Sequence, residues 1–390
     1  MSTDTEIIPL DGTVRARTPD DTWAALAPHL GRYGITRVAD HTGLDHLGLP
    51  VWTAIRPAAH TLTASQGKGA TDRLAAISAV MEAIELWHTE QPLTVDHRAS
   101  ARHVPLNYPL DALPLRVPPE DLKALRGFNL LPQEWTAGTG LITGQSLLVP
   151  SRLISRAPHP MWAPDIWRTT STGLACGNSR DEALVHALCE VIERHTLYTD
   201  ERTGGALRTS VDPATVHDPY ARSLIDRLQH AHTVLELFVV DSAYALPVCL
   251  AYLWSEDYPA FFAGAGCHID PHIALARAIT EAAQSRLTCI AGLRDDLASR
   301  DEVLAAPQPL PPTNTRPHLR WDKATAATPA AVPASIGTFE DLVQLLAARL
   351  SKATGYEPIA VTLSQADEPL TAVKVIAPGT RSRTRKTIPR

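Results

Sequence analysis

Five carboxylates and one amide stand in pairs three residues apart along this chain: Glu82 with Glu85, Glu190 with Glu193, and Glu281 with Gln284. On a helix, residues three apart project from neighbouring positions, so each pair brings two oxygen-bearing groups onto one face. Like charges so placed repel. From Leu74 to Glu90 His88 is the sole basic residue, so the first pair has no local counter-charge. A hard divalent cation suits such oxygen ligands, and Mg²⁺ held partly by carboxylates and partly by nucleotide phosphates is the usual arrangement.

The pairs keep one register. Counted from Gly69, Gly177 and His268, they fall 13 and 16 positions on, and alanine recurs at six and ten positions on: Ala75 and Ala79, Ala183 and Ala187, Ala274 and Ala278. One Glu-x-x-Glu is ordinarily a solvated helix face. Three behind similar turns point to function, because chance would have to repeat the register each time. The small residues permit close helix packing, and three helices so placed are expected to converge their glutamates and glutamine on one site.

The elements that must position these groups can be read around them. The stretch Ser65-Gln66-Gly67-Lys68-Gly69-Ala70-Thr71 precedes apolar residues Leu74, Ile77, Ala79, Val80, Ile84 and Trp87 at three-to-four spacing, an amphipathic helix capped by Thr71 or Asp72. Gly177-Asn178-Ser179 opens the second helix, and Asp270-Pro271 supplies a cap and a first-turn proline for the third.

Elsewhere, a short helix is expected around Thr22 to Leu30, with strands at Ile35–Ala39 and Val51–Arg56. His41 and His46 lie in the loop between and read as ordinary loop histidines. Residues 92–170 are rich in proline and polar turns, with strand-like segments at Leu141–Thr143 and Ser146–Pro150. Leu235–Asp241 and Pro247–Trp254 are the clearest strands. Residues 305–337 read as an irregular proline-rich arm. Phe339–Ala353 has helical spacing, and Pro358–Val361 with Thr371–Ile376 reads as a closing strand pair. The fold class is α+β, with mixed sheets packed by helices.

Composition excludes several classes. The 390 residues are 44% hydrophobic and 20% charged, enough to bury a large core, and a formal charge of −6 leaves no basic footprint for nucleic acid. No run approaches membrane-spanning length, and the acidic start carries no export signal. Five scattered cysteines without Cys-x-x-Cys argue against a disulfide framework or zinc knuckle, so a reduced cytoplasm is the expected setting. A phosphate loop is absent: Lys68 is followed by Gly69, not Ser or Thr, so any nucleotide binds by other means.

Ser65-x-Gly67-Lys68-Gly69 followed by Ser78-x-x-x-Glu82-x-x-Glu85, then Gly173-Leu174-Ala175-Cys176-Gly177-Asn178 leading to Glu182 and Glu190-x-x-Glu193-Arg194, then Glu281-Ala282-Ala283-Gln284-Ser285-Arg286, resembles the YcaO family. The resemblance spans about residues 60–380, leaving 1–59 as an N-terminal α/β segment and 381–390 as a basic tail. It implies a YcaO-like fold whose three helices converge on an ATP site, in an enzyme acting on backbone amides of a ribosomally made precursor peptide.

Position by position, the resemblance places Lys68, Ser78, Glu82, Asn178, Arg194, Gln284 and Arg286 on the nucleotide and Glu85, Glu182, Glu190 and Glu193 on Mg²⁺. Glu182 and Glu193 are eleven residues apart, three helical turns and nearly one face. The chain departs from the family at Leu86, often Arg, and at Thr172, often Asn. Gly34–Asp40, Gly43–Asp45 and Glu85–His88 resemble the branch that works with TfuA-type partners in thioamide formation, and similar stretches occur in bottromycin-type members. A homodimer and a TfuA-like or leader-binding partner are the expected assembly.

Two rival readings stand beside this. Glu85-x-x-His88 with Glu190 and Glu193 could hold two irons, although that design wants two Glu-x-x-His motifs and the chain has one. A non-catalytic peptide-presenting subunit gives no reason to keep so many candidate nucleotide and metal groups together.

Overall fold

The structure, a computed structural model, describes residues 6–116, 127, 129–157, 166–293, 318–326 and 337–383. In chain order its strands and helices are β1 (Ile8–Leu10), β2 (Thr13–Arg15), α1 (Pro19–Leu26), β3 (Arg37–Asp40), β4 (Val51–Ile55), β5 (Ala64–Lys68), α2 (Asp72–Glu90), β6 (His97–Ser100), β7 (Pro132–Gly140), β8 (Ser146–Pro150) and β9 (Leu174–Gly177). There follow α3 (Arg180–Arg202), β10 (Arg208–Val211), α4 (Pro219–His230), β11 (Val234–Val240), β12 (Val248–Trp254), β13 (Phe262–Cys267), α5 (Pro271–Ala291), α6 (Trp321–Ala326), α7 (Phe339–Thr354), β14 (Ile359–Thr362) and β15 (Thr371–Ile376).

The chain forms two compact units interleaved in sequence, one of Met1–Glu6, Ile84–His195 and Gly337–Ser382, the other of Ile7–Ala83, Thr196–Ile336 and Arg383–Arg390. The division falls inside α2 and inside α3. In the first unit one sheet runs β6-β7-β14-β15-β9, with β8 also on β7. Its core gathers Trp135, Val149, Leu153, Ile154, Trp167, Ile359 and Ile376. In the second, β10-β11-β12-β13 form one sheet and β3-β4-β5 another. There α4 presents Ala221, Leu224, Ile225 and Leu228, an i, i+3, i+4, i+7 stripe, to a core shared with β11, β12 and α5. Every pair between these strands is antiparallel.

The repeated register is a repeated strand–helix unit. In each copy a glycine in the strand lies under the following helix. A Cβ on Gly67 would strike the backbone of Ala75, Ser78 and Ala79; one on Gly177 would lie 2.5 Å from Ala183 N; one on Gly264 would strike Ala278 and Ala282, and one on Gly266 would strike Ala274. Glycine on the strand and alanine on the helix therefore form one close-packing device, used three times. The caps follow the sequence reading: Thr71 Oγ1 accepts from Leu74 N at 3.3 Å, and Asp270 accepts from His272 N at 2.8 Å.

Several local expectations need correction. The stretch before α2 is the strand β5, whose Ala64 to Gly67 are buried despite their polar character. Leu141–Thr143 is a turn, in which Glu357 accepts from the N–H groups of Ile142 and Thr143, and the strand lies earlier, in β7. Residues 92–170 are thus not simply irregular: those described supply three strands and much of the first unit's core. Of the arm at 305–337, residues 318–326, which include α6, and residue 337 are described; the rest of that arm, and tail residues 384–390, lie outside the described residues.

Candidate active site

Within the second unit, the first and third copies meet. Lys68, the last residue of β5, places Nζ 3.1 Å from Glu281 Oε2 on α5, and Gln284, one turn further, donates from Nε2 to the Gln66 carbonyl at 3.0 Å. Thr288, another turn on, donates to Gln66 Oε1. One face of α5 is thereby laid along β5. On α2, Ser78 sits half-buried over Gly67 and Glu82 is exposed one turn beyond.

Arg286 stands apart from these. Its guanidinium is buried and donates to Asp45 at 2.8 Å, to Ser255 at 2.6 Å and to Asp257 at 2.9 Å, with the rings of Tyr258 and Phe262 against it. The resemblance put this residue on the nucleotide; in the structure all three of its nitrogens are engaged by the protein, which makes it a strut holding the loop of Asp45 to α5. The loop histidines are likewise occupied, His41 with Thr53 Oγ1 and His46 with the Ala231 carbonyl.

Within the first unit, the end of α2 meets the second copy. Glu85 Oε1 accepts the backbone N–H of Cys176 on β9 at 2.8 Å. Asn178, just past β9, donates to both oxygens of Glu182, at 3.3 and 3.0 Å. Glu182, His186, Glu190, Glu193 and Arg194 form one stripe on α3, since each is three or four residues from a neighbour in it. The stripe is closed at Glu182, which is fully buried, and open at Glu190 and Arg194, whose side chains are 25% and 46% exposed, with Glu193 buried between them. Arg194 faces Glu190 at 3.4 Å and Glu193 at 3.8 Å, and Gly173 N–H donates to Glu190 Oε2 at 3.0 Å.

Burial, and then the charges of Glu85 and Glu368, push the Cys176 thiol well above its ordinary range, so it is a protonated thiol and no nucleophile. His88 Nε2 is 3.1 Å from Glu368 Oε2, both buried, so the imidazole of the single Glu-x-x-His motif is engaged by the β14–β15 connection. The di-iron reading is left with one imidazole, whose Nε2 is already carried by Glu368.

The donor set of the first unit is carboxylate oxygen, the chemistry that Mg²⁺ takes. Among the described residues no three acidic, imidazole or thiol side chains stand close enough to enclose a cation by themselves.

Sequence reasoning missed three participants: Glu281 as the partner of Lys68, Glu368 as the partner of His88, and Lys374. The last was visible as a lone lysine in the otherwise apolar strand Thr-Ala-Val-Lys-Val-Ile.

Residues 66–381 match the YcaO family, described as cyclodehydratase, ATP- and Mg²⁺-binding. The chain belongs to the YcaO family. An uncharacterised protein of Mycobacterium tuberculosis is 38% identical over 370 residues, covering 94% of this chain and 82% of that protein. An uncharacterised protein from the tfuA 3′ region of Rhizobium leguminosarum bv. trifolii is 35% identical over 387 residues, covering 94% of this chain and 88% of that protein. The fold is that of the YcaO protein from Methanopyrus kandleri bound with AMPPCP and Mg²⁺, with a TM-score of 0.74 at 21% identity over 99% of this chain and all of that one. The cofactors of the family are ATP and Mg²⁺, the second of which is the cation that the glutamate pairs suit. Among the described residues no helix is long and apolar enough to cross a membrane.

Proposed function

We propose that this YcaO protein uses Mg²⁺–ATP to phosphorylate the oxygen of a peptide backbone amide, so that a nucleophile can replace that oxygen. The observation that carries the reading is the acidic stripe of α3 together with Glu85, four carboxylates placed by two copies of one strand–helix unit.

Glu85, Glu182, Glu190 and Glu193 are proposed to hold Mg²⁺, and Lys68, Ser78, Glu82, Asn178, Arg194 and Gln284 to bind and orient the nucleotide. An amide oxygen is a poor leaving group. A nucleophile therefore adds to the carbonyl carbon, the resulting oxyanion attacks the γ-phosphorus, ADP departs, and cleavage of the carbon–oxygen bond releases phosphate as the carbon double bond re-forms. Held by these carboxylates, Mg²⁺ would supply charge neutralisation at the transferring phosphoryl group. Arg194, exposed beside Glu190 and Glu193, adds a planar cation suited to phosphate, and the glutamine and asparagine amides fix orientation.

The nucleophile we favour is sulfide, giving a thioamide, with a TfuA-like partner. Its support is the 35% identity to the protein of the tfuA 3′ region along nearly the whole chain. The family description as cyclodehydratase favours the second reading, in which a neighbouring Cys, Ser or Thr side chain attacks and an azoline forms.

Titration calorimetry with ATP, with and without Mg²⁺, tests the nucleotide reading, which no binding under either condition would sink. Glu193→Gln, a near-isostere, is expected to abolish peptide modification with the fold intact; an unchanged product yield removes Glu193 from the site.

A further inference from the structure

Lys374 sits at the centre of β15, flanked by Val373 and Val375, and is 2% exposed. Methionine would fill that volume without the cost of burying an amine. The amine instead donates to two carbonyls of one turn, Thr170 O at 2.6 Å and Thr172 O at 2.8 Å. The next residue of the turn, Gly173, has φ +78°, and a Cβ there would strike the Val375 carbonyl, so the position calls for glycine. Val375 N donates to Gly173 O at 2.7 Å. Strand β15 therefore grips this turn twice, through the side chain of Lys374 and the backbone of Val375.

What the turn delivers is one N–H. Gly173 donates it to Glu190 Oε2 at 3.0 Å, while Glu190 Oε1 faces Arg194 at 3.4 Å. One carboxylate oxygen is tied to backbone and the other is presented on the open end of the α3 stripe. We infer that Lys374 is the positioning residue of Glu190, its amine holding the Thr170–Gly173 turn so that the carboxylate offers a single oxygen to the cation. The inference rests on the reading of Glu190 as an Mg²⁺ ligand.

A double-mutant cycle on Mg²⁺–ATP affinity, read by calorimetry, tests it together with amide exchange of Gly173 followed by NMR. Lys374→Met is expected to weaken Mg²⁺–ATP binding at least tenfold and to speed Gly173 exchange at least tenfold, with the amides of β14 and β15 still protected. In a Glu190→Gln background the same change is expected to cost less than twofold. An equal loss in both backgrounds, or a Gly173 amide as protected as in the wild type, overturns the inference. Where Lys374→Met does not fold, Lys374→Gln, which keeps a donor for one carbonyl, takes its place in the cycle with the same criteria. Glu190→Gln alone tests the parent reading: wild-type Mg²⁺–ATP affinity in that variant removes Glu190 from the metal, while Gly173 exchange still decides what Lys374 holds.

Discussion

Glu85 and Cys176 are 91 positions apart in sequence, yet the carboxylate of the first accepts the backbone N–H of the second at 2.8 Å. The bond ties the end of the first helical copy to the strand of the second. Glu85→Gln keeps an acceptor oxygen and loses the charge, so its melting temperature should stay near that of the wild type while Mg²⁺–ATP affinity falls at least tenfold. Glu85→Ala also orphans the Cys176 N–H and should lose about 1–3 kcal/mol of stability. Equal Mg²⁺–ATP affinity in wild type and Glu85→Gln would take Glu85 out of the metal site.

The glycine-under-alanine contact makes a sharp contrast between two glycines. A methyl on Gly67 meets helix backbone, which cannot swing aside, whereas one on Gly43 meets nothing within 4 Å and needs no unusual backbone angle. Gly67→Ala should cost about 3 kcal/mol or more, and Gly43→Ala should be close to neutral in urea titration. A mild Gly67→Ala would mean that β5 and α2 separate easily, contrary to the packing described.

Arg286 and Lys68 should behave oppositely. Arg286→Met leaves Asp45 buried without its cation, a loss of about 3–5 kcal/mol. Lys68 and Glu281 are both partly exposed, so Lys68→Met should change stability by less than about 1 kcal/mol while weakening nucleotide binding. Should Lys68→Met leave Mg²⁺–ATP affinity untouched, the ion pair with Glu281 is its whole role.

His268 gives a pH dependence whose sign follows from its burial. Nδ1 accepts from Asp270 N at 3.0 Å, and burial, with Arg277 and Arg15 nearby, brings the imidazole down to about 3 from its ordinary 6.5. The unfolded chain therefore binds a proton between those values that the folded chain does not, and stability rises with pH across that window. The contribution is complete above about 6.5 and is lost progressively as pH falls toward about 3. His268→Asn, which retains an acceptor for the Asp270 N–H, should flatten the wild-type decline in urea midpoint between pH 6.5 and 4. Parallel profiles would show that His268 titrates normally in the fold.

Much of this arrangement was legible because the same device is repeated. The 13-and-16 spacing of the glutamates and the alanines at six and ten positions mark helix faces, and the structure sets Ala75, Ala79, Ala183, Ala274 and Ala278 against strand glycines. Strands β11 and β12, helix α7 and the β14–β15 pair were readable from apolar runs and caps. What escaped was polar in sequence and buried by its neighbours. β5 is Ala-Ser-Gln-Gly-Lys, a strand because Gly67 lets α2 lie on it, with Gln66 bonded to Gln284 and Thr288. β7 begins with proline and carries two glycines, yet it pairs with β6, β8 and β14, and the missing Cβ of Gly138 makes room for Ile359. Partners such as Glu368 for His88 depend on chain crossings that no local pattern encodes.

The fate of the amide oxygen tests the central claim most directly. If a peptide amide is activated by O-phosphorylation, substrate carrying ¹⁸O at the modified amide must pass that label into the released phosphate, whichever nucleophile takes the oxygen's place. Mass spectrometry of phosphate from a reaction that has formed product should show one ¹⁸O per modified amide. Product accompanied by unlabelled phosphate would contradict the account, because ATP would then be hydrolysed by water and the amide oxygen would leave by another route.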